Sequence, residues 1–576
     1  MAKKKDENKL SYLQMPLPSG RKSYRIAKRS WGSLNYRQTI DTGALSAESN
    51  ISTLEAPYLI PSQMPFPIRD SKGLYLSFEN PISIFGFDDF LLVIHRDDTL
   101  IKVSYITYDA DNEKYVEYSS VLKENASADD EYPRCVVQFN KYIESEDIVN
   151  GEYTKRLLIF PDKKSMFFDK VDLFADENNN TDYDFKLYDL DATVVEYENK
   201  VAPYLPPDDA NKEYYYKNTH KCDETMQGTA IFGYGKYETE DGKTKYGWAK
   251  TVPHTFPNIK YATVHLSRLF GVSDDSVYAS GFNNYANWTL DTIDEYNDSN
   301  AWCSKAQSNT KADGNFTGIT NFQGHVVCFK RDYMHEIYNN KNPFRIQDIY
   351  AEGAIDNRTI QDVDGKLIFV SDDNVKIYTG SNPRIISYNL NMPEYANAVS
   401  GTDGRCYYLY CEDAYHNNRL FVYDTFTDYW SEQFIEDSVL GFAHNKNGMY
   451  MLCGMGVIYK MDTEDYDHIW WLETDLITNE TVNIKHIKKM QMLADIDPGA
   501  YVKVYALYDN EKFGSLKEAE KAERLLYSSS GSGQKAIRVK PRKTANYGIK
   551  LHIEGEGYVK LYELEMFIEN GGGLYV

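Results

Sequence analysis

What the chain lacks narrows it before anything else does. There is no GxxxxGK[ST] loop, no HExxH and no GxGxxG following a strand, so the familiar phosphate cradles and helix-borne zinc sites are missing. Gly531-Ser-Gly533 does not complete the G-x-S-x-G turn of a serine hydrolase. No window approaches ~18 uninterrupted apolar residues, so no segment reads as a bilayer-spanning helix. The opening MAKKKDENKLSYLQ is basic but has no apolar stretch of the kind a secretory signal needs. Positive charge is also short: 63 Lys and Arg stand against 86 Asp and Glu, a net charge of −23. That balance excludes a general binder of nucleic-acid phosphates, which needs a basic face. The seven cysteines are Cys135, Cys222, Cys303, Cys328, Cys406, Cys411 and Cys453, an odd number with no CxxC pair. They read as reduced, part-buried thiols of a chain made in a reducing compartment. Cys406 and Cys411, five apart, would face opposite sides of one strand.

What is present points to strands. Aromatic residues make up 14% of the 576 positions and 49 of them are Tyr, a composition that favours pleated, half-buried surfaces. A repeated unit follows: an apolar run, a short polar gap, and a second apolar run. It occurs as ITNFQGHVVCFKRDYMHEIY (319–338), IQDVDGKLIFVSDDNVKIY (360–378), GTDGRCYYLYCEDAYHNNRLFVYD (401–424) and GFAHNKNGMYMLCGMGVIYK (441–460). A glycine precedes the first strong strand each time, at Gly324, Gly365, Gly404 and Gly448, spaced by 41, 39 and 44 residues. Looser copies lie at 85–105, 155–169 and 263–280. Strand pairs returning every ~40–50 residues are the signature of a β-propeller, in which successive four-stranded sheets pack face to face. The expected count is about six blades.

The fold class read from this is all-β: a propeller with a C-terminal β-sandwich that carries a short helix. Residues 1–40 read as an extended basic arm. Residues 41–465 read as the propeller, with long inserted loops at 172–260 and 281–318. Residues 466–576 read as the sandwich. There Ile549, Leu551 and Ile553 alternate, as do Tyr562, Leu564, Met566 and Ile568, giving each strand one buried face. Ser515 and Glu518 have capping-box spacing and predict a helix start.

Few residues suggest chemistry. Asp176, Asn178, Asn180, Asp182 and Asp184 alternate like the first half of a calcium loop. However, Thr181 stands where the sharp turn needs Gly, and Leu187 where the bidentate Glu belongs, so a solvated turn is the stronger reading. His325 and His335 would share a hairpin but have no third ligand at fixed spacing. Trp470 and Trp471 read as core of the second domain, with a sugar-stacking platform as the alternative. Lys535, Arg538, Lys540, Arg542, Lys543 and Lys550 form a basic cluster, read either as a contact face or as a strand edge guarded by charge. Residues 1–32 carry a net +7, which leaves −30 on the rest, so the arm suits docking on an acidic neighbour. No catalytic, cofactor or metal residue is assigned, and the expectation is a chain that is not an enzyme.

RLFGVSDDSVYASGFNNYANW (268–288), followed by ITNFQGHVVCFKRDYMHEIY (319–338), resembles the tail hub or nozzle proteins of short-tailed bacteriophages, also called head–tail stabilisation or tail tube B proteins. DTGALSAESNIS (41–52) resembles their N-terminal entry. The resemblance implies a virion protein made in the host cytoplasm that assembles as a ring of about six copies. Its partners would be further copies of itself, a portal-proximal adaptor, and tail fibres or receptor-binding proteins. Genomic DNA would pass through without sequence-specific binding, since an electronegative lumen does not retain it. The alternatives are a carbohydrate-binding or depolymerising surface propeller, and a cellular propeller scaffold.

Overall fold

The computed structural model describes residues 23–28, 31–37, 44–143, 152–174, 185–190, 193–198, 220–221, 231–238, 244–253, 256–288, 290, 300–304, 314–349, 351–478, 484–509, 511–522, 524–529, 531–539 and 546–570. The chain is almost entirely β and divides into two compact units, one made of 1–118, 127–131 and 351–576, the other of 119–126 and 132–350.

In the first unit, four sheets are each built from four strands. They begin at Pro81–Phe87, Gln361–Val363, Ala396–Thr402 and Val439–Asn445. Their apolar side chains pack sheet against sheet in the order 361–385, 396–433, 439–460 and 81–123. Such strands are buried on both faces, so they appear in the sequence as unbroken apolar runs. Cys406–Glu412 illustrates this. Tyr407, Leu409 and Cys411 join one core, while Tyr410 joins the other and Tyr408 packs against it. The expectation that Cys406 and Cys411 face opposite ways is met, and Cys135, Cys328, Cys406, Cys411 and Cys453 are all buried without a disulfide. The first strands of adjacent sheets come very close. A Cβ on Gly86 would lie 2.2 Å from the His444 carbonyl oxygen, and one on Gly401 would lie 2.3 Å from Phe442 Cβ, so only glycine fits.

The last of these sheets is completed by a strand from far upstream. Phe66–Pro67 pairs with Ile458–Lys460 and supplies its fourth strand. The predicted turn glycines behave as expected: Gly324, Gly365, Gly404 and Gly448 all have positive φ. In Gln323-Gly324 and Asp364-Gly365 both residues are left-handed, the two-residue hairpin turn whose twist suits the strands it joins.

The second unit holds three such sheets, beginning at Cys135–Ile143, Tyr261–His265 and Gly318–Phe322, again packed on one another in chain order. It also holds a sheet of different order, in which Thr193–Glu198, Thr244–Pro253, Ile231–Glu238 and His220–Lys221 lie side by side. The stretch expected as inserted loop, 172–260, therefore contains a sheet of its own. Within 281–318, Trp302–Cys303 is the fourth strand of the 261–303 sheet. Among the described residues six sheets consist of four successive strands, and a seventh, 439–460, consists of three with Phe66–Pro67 as the fourth.

Beyond residue 466 two further sheets share one core. One is ordered Ser23–Lys28, Val559–Asn570, Lys485–Ile496, Gly533–Val539; the other is ordered Leu45–Ser49, Ile469–Thr474, Ile549–Glu556, Tyr501–Tyr508, Leu525–Ser529. The domain limits differ from the expectation in one respect. The expected extended arm and the loop after it contribute to these sheets: Ser23–Lys28 and Leu45–Ser49 are strands, and Trp31, Leu45, Ile51 and Leu59 are buried with Trp470, Leu472 and Leu551. Leu34 instead packs among residues of the 361–433 sheets, and its amide donates to the Trp430 carbonyl at 3.1 Å. Residues 31–37 and 44–62 thus form a seam inside the first unit. The predicted helix is Leu516–Lys521. Ser515 Oγ accepts from the Glu518 amide at 3.4 Å, while the Glu518 carboxylate accepts from Gly514 N–H at 3.0 Å.

Candidate functional sites

The sequence-derived candidates scatter. Asp176, Asn178, Asn180, Asp182 and Asp184 lie outside the described residues, as do Lys540, Arg542, Lys543 and Cys222. His325 and His335 are not brought together. In register, His325 is level with Tyr338, so His335, three positions before Tyr338, points to the other face. His335 Nδ1 is 2.8 Å from Asp348 and His325 Nε2 is 3.7 Å from Glu336. Among the described residues no group of three or more His, Cys, Asp or Glu is arranged to hold a metal, and no helix is long and apolar enough to cross a membrane. Lys535 and Arg538 lie on Gly533–Val539, an edge strand, where charge discourages further strand addition. Trp470 is core, with its indole N–H donating to the Gly557 carbonyl at 3.0 Å.

Trp471 points the other way, onto the outer face of its sheet, where the first site lies. Strand alternation sends Trp471 and Glu473, Lys550, His552 and Glu554, and Lys503 and Tyr505 to that face, while Leu472, Ile553 and Val504 enter the core. The register aligns Glu473, His552 and Tyr505 in one row and Trp471, Glu554 and Lys503 in the next. His552 Nδ1 is 3.3 Å from Glu473 Oε1, and the Trp471 ring stacks on the imidazole at 5.6 Å. The Tyr505 hydroxyl has two acceptors, Glu520 at 3.1 Å and Glu554 at 3.2 Å. Glu520 comes from the short helix, which with Phe513 and Lys512 roofs a cavity of about 390 Å³. His552 Nε2 is buried without a hydrogen-bond partner at this cavity. The dyad leaves that nitrogen able to accept or give a proton. The two carboxylates lining the space are both held ionised: His552 lowers Glu473, and the bidentate Arg524 (2.6 and 2.7 Å) lowers Glu511. Neither is the protonated acid that glycoside cleavage calls for.

The second site is a cleft of about 410 Å³ beside the completing strand Phe66–Pro67. Its walls are the rings of Phe66, Tyr108 and Tyr115, with Glu113, Lys460 and Asp465 at the rim. Tyr115 is fixed from behind, its hydroxyl 3.0 Å from that of the fully buried Tyr450, and burial raises its phenol. Tyr108 leans on Tyr115 at 5.1 Å and is 37% exposed. The Arg69 guanidinium lies 4.7 Å from the Tyr75 ring centroid and 5.9 Å from that of Phe66. Sequence reasoning missed this cleft because its parts come from residues 66–115 and 447–465, and no motif connects them.

A third cluster lies in the seam. Glu48 is buried, and its Oε1 accepts from the Glu432 amide at 3.1 Å while Oε2 has no partner. Desolvation drives its carboxyl far above the usual range, and Glu432, 2.9 Å from Arg419, is also raised by burial.

No family model matches the chain, and no curated protein matches it. Solved structures similar to it include an exo-β-1,3-galactanase from Phanerochaete chrysosporium (10% identity, TM-score 0.20, covering 88% of this chain and 100% of that one). A sialidase from Trypanosoma rangeli has 10% identity and TM-score 0.21, with coverage of 88% and 94%. A fructofuranosidase from Schwanniomyces occidentalis has 10% identity and TM-score 0.20, with coverage of 88% and 99%. The expectation that the chain is not an enzyme is corrected by these neighbours, all three of which are enzymes. At these scores the likeness assigns no reaction and no substrate.

Proposed function

We propose that this chain is a β-propeller subunit of the tail of a short-tailed bacteriophage, several copies of which close a ring around the path of the genome. The observation that carries the reading is the sheet of 439–460, which Phe66–Pro67 completes and which packs between the 396–433 and 81–123 sheets. A sheet built from strands so far apart in the sequence fastens residues 66–67 to 458–460, as the closing blade of a propeller does. The seam formed by residues 31–37 and 44–62 adds rigidity, because it ties the C-terminal sheets to the blades. Charge supports the same reading. A ring of subunits at −23 each presents an electronegative wall to DNA. Light scattering and negative-stain microscopy of the purified chain test this. A ring with a central hole of duplex width is expected; a protein that stays monomeric in every buffer, and never sediments with virus particles, overturns it.

A second reading, a surface propeller that binds carbohydrate, is favoured by the aromatic cleft beside Phe66. The two readings are compatible in one chain.

A further inference from the structure

The cleft beside the completing strand combines three properties. First, it presents ring faces. Tyr108 and Phe66 are 37% and 46% exposed although both are large and apolar. Second, the platform is held before any ligand arrives. Buried Tyr450 fixes Tyr115, Tyr115 supports Tyr108, and the Phe66 backbone is bound into the sheet opposite Lys460. Preorganisation of this kind lowers the entropy cost of binding. Third, the rim alternates sign without excess. Arg69 and Lys460 are matched by Glu113 and Asp465, so the lining has no net formal charge. Arg69 is occupied as well, with its guanidinium donating to the Gly73 carbonyl at 2.9 Å and packed on Tyr75.

We propose that this cleft binds a neutral pyranose ring, stacked on Tyr108 and Phe66, with its hydroxyls donating to the Glu113 and Asp465 carboxylates. The apolar C–H face of a pyranose fits an aromatic face, and its rim of hydroxyls needs acceptors at the edge, which carboxylates supply. An acidic sugar would require an uncompensated cation, and the lining offers none. A volume of about 410 Å³ accommodates one or two sugar rings, within the usual size of small-molecule sites. This inference rests on the carbohydrate reading and not on ring assembly.

The test is calorimetric titration of the full chain with short cello-, malto-, manno-, galacto- and chito-oligosaccharides, with sialyllactose and oligogalacturonate as acidic probes. Three proteins are compared: the wild type, Tyr108→Ala and Tyr108→Phe. Tyr108 is partly exposed and at the end of its hairpin, so both variants should melt with the parent, which is checked first. At least one neutral oligosaccharide should bind the wild type. Tyr108→Ala should weaken it on the order of tenfold, and Tyr108→Phe, which keeps the ring, should bind within about twofold of the parent. Neutral-sugar binding indifferent to Tyr108→Ala would overturn the assignment of the cleft but leave the carbohydrate reading standing. No binding by any probe would overturn both. Binding of the acidic probes alone would overturn the ligand class.

Discussion

Cys406–Glu412, from the stacked sheets, and Ile549–Glu556, from the C-terminal pair, are strands of nearly equal length that meet opposite surroundings. In the first, consecutive side chains enter two different cores; in the second, Ile549, Leu551 and Ile553 are buried while Lys550 and His552 look outward. Burial on both faces gives rigidity and leaves no room for chemistry on the strand itself. Burial on one face leaves a regular grid of side chains 4.5–5.5 Å apart, on which a polar row such as Glu473–His552–Tyr505 can be assembled. The largest test follows directly. Leu409→Ala should cost about 2–5 kcal/mol and its neighbour Tyr410→Ala about 3–5 kcal/mol, because both create cavities. Leu551→Ala should cost about 2–5 kcal/mol, whereas Lys550→Ala should stay within about 0.5 kcal/mol. Urea unfolding of the four variants reads these values. Equal costs at Leu551 and Lys550 would break the comparison.

The close approach of neighbouring sheets offers a sharper probe. Gly401→Ala places a methyl 2.3 Å from Phe442 Cβ, and something must move. A loss of about 1–3 kcal/mol is expected, the usual cost of overpacking. The same change at Gly499, where a Cβ meets nothing within 4 Å, is affected only by its φ of +94° and should cost about 1 kcal/mol. Thermal melts that rank the two the other way round would show that the contact at Gly401 yields without strain.

The contrast also explains what could be seen in the sequence. The central strands of each sheet were legible because double burial writes itself as FLLVI, KLIFV or CYYLYC, and because a left-handed hairpin turn requires residues such as Gly324 and Gly365. The edge strands were not legible. Arg384–Ile385, Tyr188–Asp189 and Phe66–Pro67 are two residues each, too short for any period. The seam was hidden for another reason: Ser33 and Trp430 hydrogen-bond across 397 positions, and nothing local in 1–40 distinguishes a strand and two core residues from a free arm. Of the first site, the alternation around Leu551 showed that His552 faces outward. Its partners Glu473 and Tyr505 come from other strands, and only the register identifies them.

The two settings give two carboxyls opposite responses to acid. Glu48 sits in the seam with both faces covered, and desolvation raises its pKa well above the ordinary glutamate value. The folded state therefore holds a proton that the unfolded chain gives up. Stability from this group is full below the ordinary glutamate range and falls as pH rises above it, by about 1.4 kcal/mol per unit at the steepest. Glu48→Gln should remove that decline, and chemical unfolding of both proteins from pH 5 to pH 8 measures it. A parent whose stability is flat across this span would contradict the assignment.

Glu473 lies on the one-sided sheet, and its hydrogen bond to His552 lowers its pKa. Here the unfolded state binds the proton more readily. The contribution is present above the ordinary glutamate range and fades as pH drops through the folded value. The sign is opposite to that of Glu48, and because Glu473 is only half-buried the size is smaller, below about 1 kcal/mol. His552→Ala takes away the partner that is the first cause of the shift. Following the Glu473 carboxyl by NMR should show its titration move upward towards the ordinary range in that variant, with the acid side of the stability curve flattened. A Glu473 titration unmoved by loss of the imidazole would mean that the row Glu473–His552–Tyr505 is a product of register alone, without the electrostatic coupling that makes it a candidate site.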